Sequence, residues 1–228
     1  RGGGHGDYHI LVLAPSTVQE MVDLVSLAFH LAETYRMPAM LLADGMLGQM
    51  MEPVVLPEAR EPDNDSKDWA VSGHKDKREH NVVNSLYINP QELETLVKAR
   101  FERYAEIKEK HQMAEEYLAD DADIIIVAYG SSSRVSRSAI DAARKQGIKV
   151  GMIRPITLWP FPEKVIEKHV GHAKAFLSVE MSMGQMVDDV KLVVNGRAPV
   201  EFYGRTGGMI PTPNEVLEQI VRINGGVQ

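Results

Sequence analysis

Few residues in this chain have types and spacings that could do chemistry. The first group is Tyr129-Gly130-Ser131-Ser132-Ser133, a small, hydroxyl-rich stretch between an apolar run and a helical pattern. A strand–helix junction of this kind can offer N–H groups and hydroxyls to a phosphate. It lacks the Lys of a Walker loop and the three-glycine spacing of a dinucleotide fold. The second is Asp44-Gly45, a carboxylate closing an apolar run. It could hold a metal or a ribose, but no second carboxylate stands close by in sequence, so a cap or turn is the favoured role. The third is histidine. His5 and His9 sit four apart, but Gly2, Gly3, Gly4 and Gly6 work against the helix that would put them on one face. His169 and His172 sit three apart near a helix end, where positive charge suits the dipole. Neither pair is read as a metal site. No nucleophile elbow is present.

These residues need a scaffold, and the hydrophobic pattern supplies an α/β one. Residues 9–44 read as strand, helix, strand. Ser16 is the expected N-cap, with Gln19 as its capping-box partner. The expected core face of this helix is Val18, Met21, Val22, Val25, Ala28, Phe29 and Ala32, widened by Leu24, Leu27 and Leu31. So apolar a helix is expected to be buried on two sides. The following run, 38–44, suits a central parallel strand. Residues 51–90 are broken by Pro53, Pro57 and Pro62 and read as a long surface excursion. Asn89-Pro90-Gln91-Glu92 then starts a connector helix expected to reach about Leu118. Residues 123–228 alternate strands (123–130, 149–155, 173–180, 199–204) with helices, the last opening on a Thr212-Pro213-Asn214-Glu215 capping box. That alternation predicts a doubly wound parallel sheet. The expected division is 1–88, a first domain with its excursion; 89–120, the connector; and 121–228, a second domain.

In open parallel sheets ligands sit beyond the carboxyl ends of the strands. That rule selects Ser16, Asp44, Gly130, Ser131 and Ser132 as strand-end candidates. It also selects Glu180-Met181-Ser182-Met183-Gly184-Gln185, whose free helix N–H groups are expected to point outward. Met181, Met183, Gly184 and Gln185 are candidates for a subunit interface, with a strand–helix turn in the local core as the equal alternative.

Composition excludes several classes. The 228 residues carry a net charge of -7 and no long basic run, which argues against nucleic acid or a membrane surface as partner. No apolar stretch is long enough to span a bilayer, which predicts a cytoplasmic protein. With no cysteine, thiolate catalysis and Cys-ligated clusters are excluded within this chain. Residues alone therefore give an α/β protein without a complete active site.

Two blocks carry a resemblance. GGGHGDYHILVLAPSTVQEMVDLVSLAFHLAETYRMPAMLLADGMLGQMMEPV resembles the later part of the first domain of 2-oxoacid:ferredoxin oxidoreductase α subunits. ADIIIVAYGSSSRVSRSAIDAARKQGIKVGMIRPITLWPFP and VEMSMGQMVDDV are similar to their second domain. The branched-chain, 2-ketoisovalerate type is nearest in pattern, the 2-oxoglutarate type second. The resemblance implies a partial thiamine-diphosphate pyrimidine-binding domain followed by a transketolase C-terminal-like domain. It implies oxidative decarboxylation of a 2-oxoacid to an acyl-CoA, with electrons passed to ferredoxin. The family's Tyr-Pro-Ile-Thr-Pro motif and its pyrimidine-bonding Glu are expected upstream of Arg1; Arg154-Pro155-Ile156-Thr157 cannot replace the former. The implied partners are β, γ and ferredoxin-like δ subunits, with a homodimer also open. Thiamine diphosphate, Mg²⁺ and a 4Fe-4S cluster are expected in the complex, and none of them in this chain alone. The alternative is a non-catalytic assembly module of the same fold.

Overall fold

The computed structural model describes residues 4–58 and 67–226. Gly2, Gly3 and Pro62, named above, lie outside the described residues. The chain builds two sheets that share a crossing segment.

The first sheet starts from β1 (Leu11–Leu13), α1 (Val18–Tyr35) and β2 (Ala39–Leu41). β1 and β2 pair in parallel, Leu11 opposite Ala39, so the unit is the expected crossover. Three details depart from expectation. Thr17, not Ser16, caps α1: its hydroxyl oxygen accepts from the Glu20 amide at 3.1 Å. β2 lies at an edge of the sheet, not in its centre. The buried stripe of α1 is Leu24, Leu31 and Tyr35, while Val25 and Phe29 face solvent, Phe29 being 70% exposed. The Leu-rich stripe keeps the same helical period and offers larger side chains to β1, so it wins the buried side. Among the described residues the other faces of α1 meet only the following stretch, Gln19 bonding Val55, Glu33 pairing with Lys67 and Arg36 lying over Trp69.

After a 3-10 turn at Leu47–Gln49, the described residues up to 89 form no helix or strand. α2 (Pro90–Lys110) then begins as expected: the Asn89 side-chain oxygen accepts from the Gln91 amide at 3.0 Å, and Pro opens the first turn. Its Tyr104 and Ile107 pack against β1. The helix stops at Lys110, short of Leu118. Residues Ala114–Tyr117 form β3 instead, antiparallel to the later strand β5 (Val150–Pro155). Its two Glu residues suit a helix by propensity; pairing with a buried neighbour strand overrides that weak preference.

The second sheet comprises β3, β4 (Ile124–Val127), β5 (Val150–Pro155), β7 (Ala175–Glu180) and β8 (Val200–Gly204), in the order β3-β5-β4-β7-β8. All pairs are parallel except β3 with β5. The helices α3 (Gly130–Lys145) and α6 (Pro213–Gly226) cover one face, and α4 (Glu163–Val170) and α5 (Met186–Val194) the other. This is the doubly wound arrangement. Its cores are dominated by Ile124 to Val127 and by Phe176 and Leu177, all essentially inaccessible. The Thr212–Glu215 capping box forms reciprocally, at 2.8 and 3.3 Å.

β6 (Thr157–Trp159) was not anticipated. It leaves the second sheet directly after β5 and pairs antiparallel with β1, Val12 opposite Trp159. His9, Tyr104 and Trp159 stack around this crossing, with ring centroids 4.8 to 5.2 Å apart.

One close approach is unforgiving. A Cβ on Gly151 of β5 would lie 2.3 Å from the Leu118 carbonyl oxygen and 2.7 Å from Ala119 Cα. Both are backbone atoms and cannot swing away. Gly151→Ala is expected to lower stability by about 1–3 kcal/mol, as overpacking does. Chemical denaturation measures this, and an unchanged midpoint would show that the 118–119 turn gives way freely.

Candidate functional site at the joined strand ends

From β4 the chain moves to β5 on one side and then to β7 on the other. The crevice between the carboxyl ends of β4 and β7 is thus the topological switch point, where a ligand is expected in such sheets. Two carboxylates of the chain itself fill it. Asp44, arriving from the first sheet, accepts from the Ser131 amide at 2.8 Å and its hydroxyl at 2.7 Å, and from the Leu47 amide at 2.9 Å. It therefore caps α3 from outside. Gly130, Ser131 and Ser132 are the first turn of α3 and not a loop, with Tyr129 in the N-cap position. Gly130 has φ +56°, and a Cβ there would lie 2.6 Å from the Asp44 carboxylate, so glycine is required twice over.

Glu180, at the end of β7, is 2% exposed and does the same for α5. Its carboxylate accepts from the Gln185, Met186 and Val187 amides at 3.0, 3.0 and 2.8 Å, and from the Ser178 and Ser182 hydroxyls, both at 2.9 Å. The N–H groups expected to be free are thus spent internally. Tyr129 stands between the two acids. Burial pushes its hydroxyl pKa up, and the Glu180 and Asp44 charges add to that.

The start of α1 follows the same pattern. Glu52 accepts from the Val18 amide at 3.0 Å and from Arg134 at 2.9 Å, which holds its carboxyl below the usual range. Ser16 donates through its amide and hydroxyl to Glu20, at 2.7 and 3.1 Å. Glu20 in turn receives both Arg154 Nη atoms, at 3.0 and 2.7 Å. Arg154 Nε reaches Glu115 at 2.7 Å, and Arg137 closes on the other Glu115 oxygen. Burial would raise the Glu115 pKa, but Arg137 and Arg154 outweigh it and hold the carboxyl low.

The histidine pairs separate. His5 is exposed, while His9 packs in the aromatic crossing. His169 is inaccessible, with Nδ1 3.4 Å from His172 and Nε2 on Glu116. His169, Glu116 and Asp120 come close enough to share a metal ion. However, the Lys168 ammonium already sits 3.1 Å from each carboxylate, where a cation would go.

Two clefts open beside these anchors. One, of about 390 Å³, includes Val12, Met40, Phe161, Gly184 and Gln185 in its walls. The other, of about 660 Å³, lies beyond the ends of β2, β7 and β8, with Met46, Met181 and Arg205 among its lining. Met183 is 82% exposed and belongs to no local core.

Residues 4–122 match the family model described as pyruvate flavodoxin/ferredoxin oxidoreductase, thiamine diP-bdg, and residues 122–216 match pyruvate:ferredoxin oxidoreductase core domain II. The chain is 46% identical over 225 residues to ketoisovalerate oxidoreductase subunit VorB of Methanothermobacter thermautotrophicus. The chain belongs to the 2-oxoacid:ferredoxin oxidoreductase family. The match takes in 99% of this chain and 63% of VorB. A solved 2-oxoglutarate:ferredoxin oxidoreductase from Magnetococcus marinus superposes with a TM-score of 0.74 at 20% identity, over 99% of this chain and 43% of that one. A split-gene transketolase superposes at 0.54 and 13% identity, over 93% of this chain and 56% of that one. Those likenesses show the fold, a pyrimidine-domain-like unit followed by a transketolase-C-like one.

This oxidoreductase-family chain does not fit the diphosphate of the family cofactor with its described residues. At α1, α3 and α5 the helix N-termini at the strand ends already hold carboxylates, and a second anion would be repelled. Sequence reasoning selected Asp44, Ser131, Ser16 and the strand-end stretch opening on Glu180, but missed Glu20 and Arg134 as the partners of Ser16, Arg154 and Glu52 as the partners of those two, and the capping role of Glu180. Glu180 had a legible signal, an acid ending an otherwise apolar strand just before a helix. Glu180→Gln would turn an amide NH₂ toward backbone donors. It is expected to cost about 3 kcal/mol, read as a shift of the urea midpoint; a variant as stable as the parent would mean the cap is dispensable.

Proposed function

We propose that this chain is the scaffold portion of the α subunit of a 2-oxoacid:ferredoxin oxidoreductase acting on 2-ketoisovalerate. The reaction would take the 2-oxoacid, CoA and two oxidised ferredoxins to acyl-CoA, CO₂, a proton and two reduced ferredoxins. The observation that carries this reading is the 46% identity to VorB along 99% of the chain. The self-capped switch point supports the division of labour: here the strand ends serve the fold, so thiamine diphosphate, Mg²⁺ and the 4Fe-4S cluster are assigned to other parts of a β, γ, δ-containing complex. No helix among the described residues is long and apolar enough to cross a membrane; a cytoplasmic place is part of the proposal. So is the division into 1–88, 89–120 and 121–228. The second reading, an assembly module without catalysis, is favoured by that same self-capping.

The two readings part in one assay. The complete complex is expected to reduce a dye with 2-ketoisovalerate and CoA, faster than with 2-oxoglutarate or pyruvate. Absence of turnover with every 2-oxoacid would leave the assembly module; a preference for another acid would overturn the substrate.

The loop 181–185 is proposed as part of a subunit interface, with Met181 and Met183 packing across it and Gln185, whose side chain is exposed, bonding a neighbour. The exposure of Met183 motivates this. Met183→Asp is expected to leave the melting temperature of the isolated chain unchanged and to weaken assembly, because only the assembled state would bury the charge. Unaltered assembly in a co-purification or sedimentation measurement would remove the loop from the interface.

A further inference from the structure

The 660 Å³ cleft differs from the other strand-end positions in having donors left over. At α1, α3 and α5 the chain's own carboxylates take the N–H groups. On the wall that follows β8, the amides of Thr206, Gly207 and Gly208 have no hydrogen-bond partner among the described residues; the turn is closed only by the Met209 amide donating to the Thr206 carbonyl at 3.2 Å. Gly207 and Gly208 have φ of +66° and +87°, and a Cβ on either would meet nothing within 4 Å, so this wall is open. Arg205 stands beside it with one Nη donating to Glu215 at 2.5 Å; its Nε and second Nη have no partner among the described residues. Successive free amides beside a half-used guanidinium make an electropositive wall suited to a planar anion.

The rest of the lining is mostly apolar and adaptable, with Met46, Met181, Met209 and Ile210. The volume is in the range of small-molecule sites. Asp44 lies on the rim with its carboxylate already engaged by Ser131 and Leu47, and Glu215 holds the far side of Arg205. Two fixed acids near one guanidinium favour a single negative charge over a double one.

We propose that this cleft is a binding site for a small monoanion, a carboxylate carried on a short aliphatic tail. The carboxylate meets Arg205 and the 206–208 amides, and the tail lies among the thioethers. The site stands on the geometry of this chain and is independent of the reaction proposed above.

The test is amide-resolved NMR of the ¹⁵N-labelled 228-residue chain, titrated with isovalerate and, at matched ionic strength, with inorganic phosphate. Isovalerate is expected to shift the 206–209 amides saturably, and phosphate to do so several-fold more weakly. Glu215→Gln keeps the capping box, since Gln serves there as well as Glu, but frees the guanidinium, so isovalerate should bind several-fold tighter. Arg205→Gln should abolish the saturable shift. The proposal is overturned if isovalerate produces no saturable shift at these amides, if phosphate binds as well, or if Glu215→Gln leaves the affinity unchanged. The last arm decides the matter even where Arg205→Gln does not fold.

Discussion

A buried guanidinium fixes how the two sheets of this molecule sit against each other. Arg154 is 3% exposed and sits at the end of β5, directly before the chain crosses into the first sheet. Leaving such a cation unpaired would cost several kcal/mol. Its partners come from two directions: Glu20 from α1, as a two-pronged carboxylate, and Glu115 from β3. Neither alone uses all of its donors. The first sheet must therefore lie against the second for Arg154 to be satisfied, and β6, continuous in chain with β5, supports the same seating by hydrogen-bonding to β1. Ser16 and Arg137 extend the network on either side. Charge pairing of this kind contributes little net stability, because desolvation offsets most of the attraction. Its effect is on geometry: it selects one seating of the sheets among those that apolar contact would allow.

That seating explains the strand ends. Bringing the sheets together delivers Asp44 onto the N-terminus of α3, a position which in an open α/β sheet would face a ligand. Glu180 does for α5 from within the second sheet what Asp44 does from the first. Both acids complement the partial positive charge of a helix N-terminus and satisfy amides that would otherwise be orphaned. An edge built in this way is rigid and negatively occupied. It is a poor host for a diphosphate.

Much of the architecture could be read from local pattern, because the relevant signals were local. The Asn89-Pro90 helix start, the Thr212–Glu215 box and the apolar runs at 124–127 and 175–177 each state their structure within a few residues. The failures are non-local. Ala114-Glu115-Glu116-Tyr117 looks helical until β5 offers a partner edge, and Thr157-Leu158-Trp159 carries no strand pattern of its own beyond three residues. The Ser16 and Thr17 capping assignments differ by one residue and both match the S/T-x-x-E/Q rule; Glu20, already recruited by Arg154, decides for Thr17. Asp44 was legible as a cap. What it caps, a helix start 87 positions away, was not.

The polar and apolar surfaces point in different directions. The polar groups at the strand ends are almost all satisfied by the chain itself, whereas a good deal of apolar surface is not. Met51, Val82, Val83, Leu86 and Ile88 are between 73% and 98% exposed on the stretch without helix or strand, and Phe29 is exposed on α1. Arg78 and Asn81 bond the Ala70 carbonyl and so give that stretch a fixed turn of its own, despite its lack of regular structure. An ordered segment that exposes this many large apolar side chains is poorly suited to water alone. Burial against other protein would release roughly 25 cal/mol for each Å² covered, and the same residues would add almost nothing to a catalytic centre. The physics of the chain thus separates two tasks. Internal charge pairing shapes the scaffold, and exposed hydrocarbon is left to be covered by other protein surface.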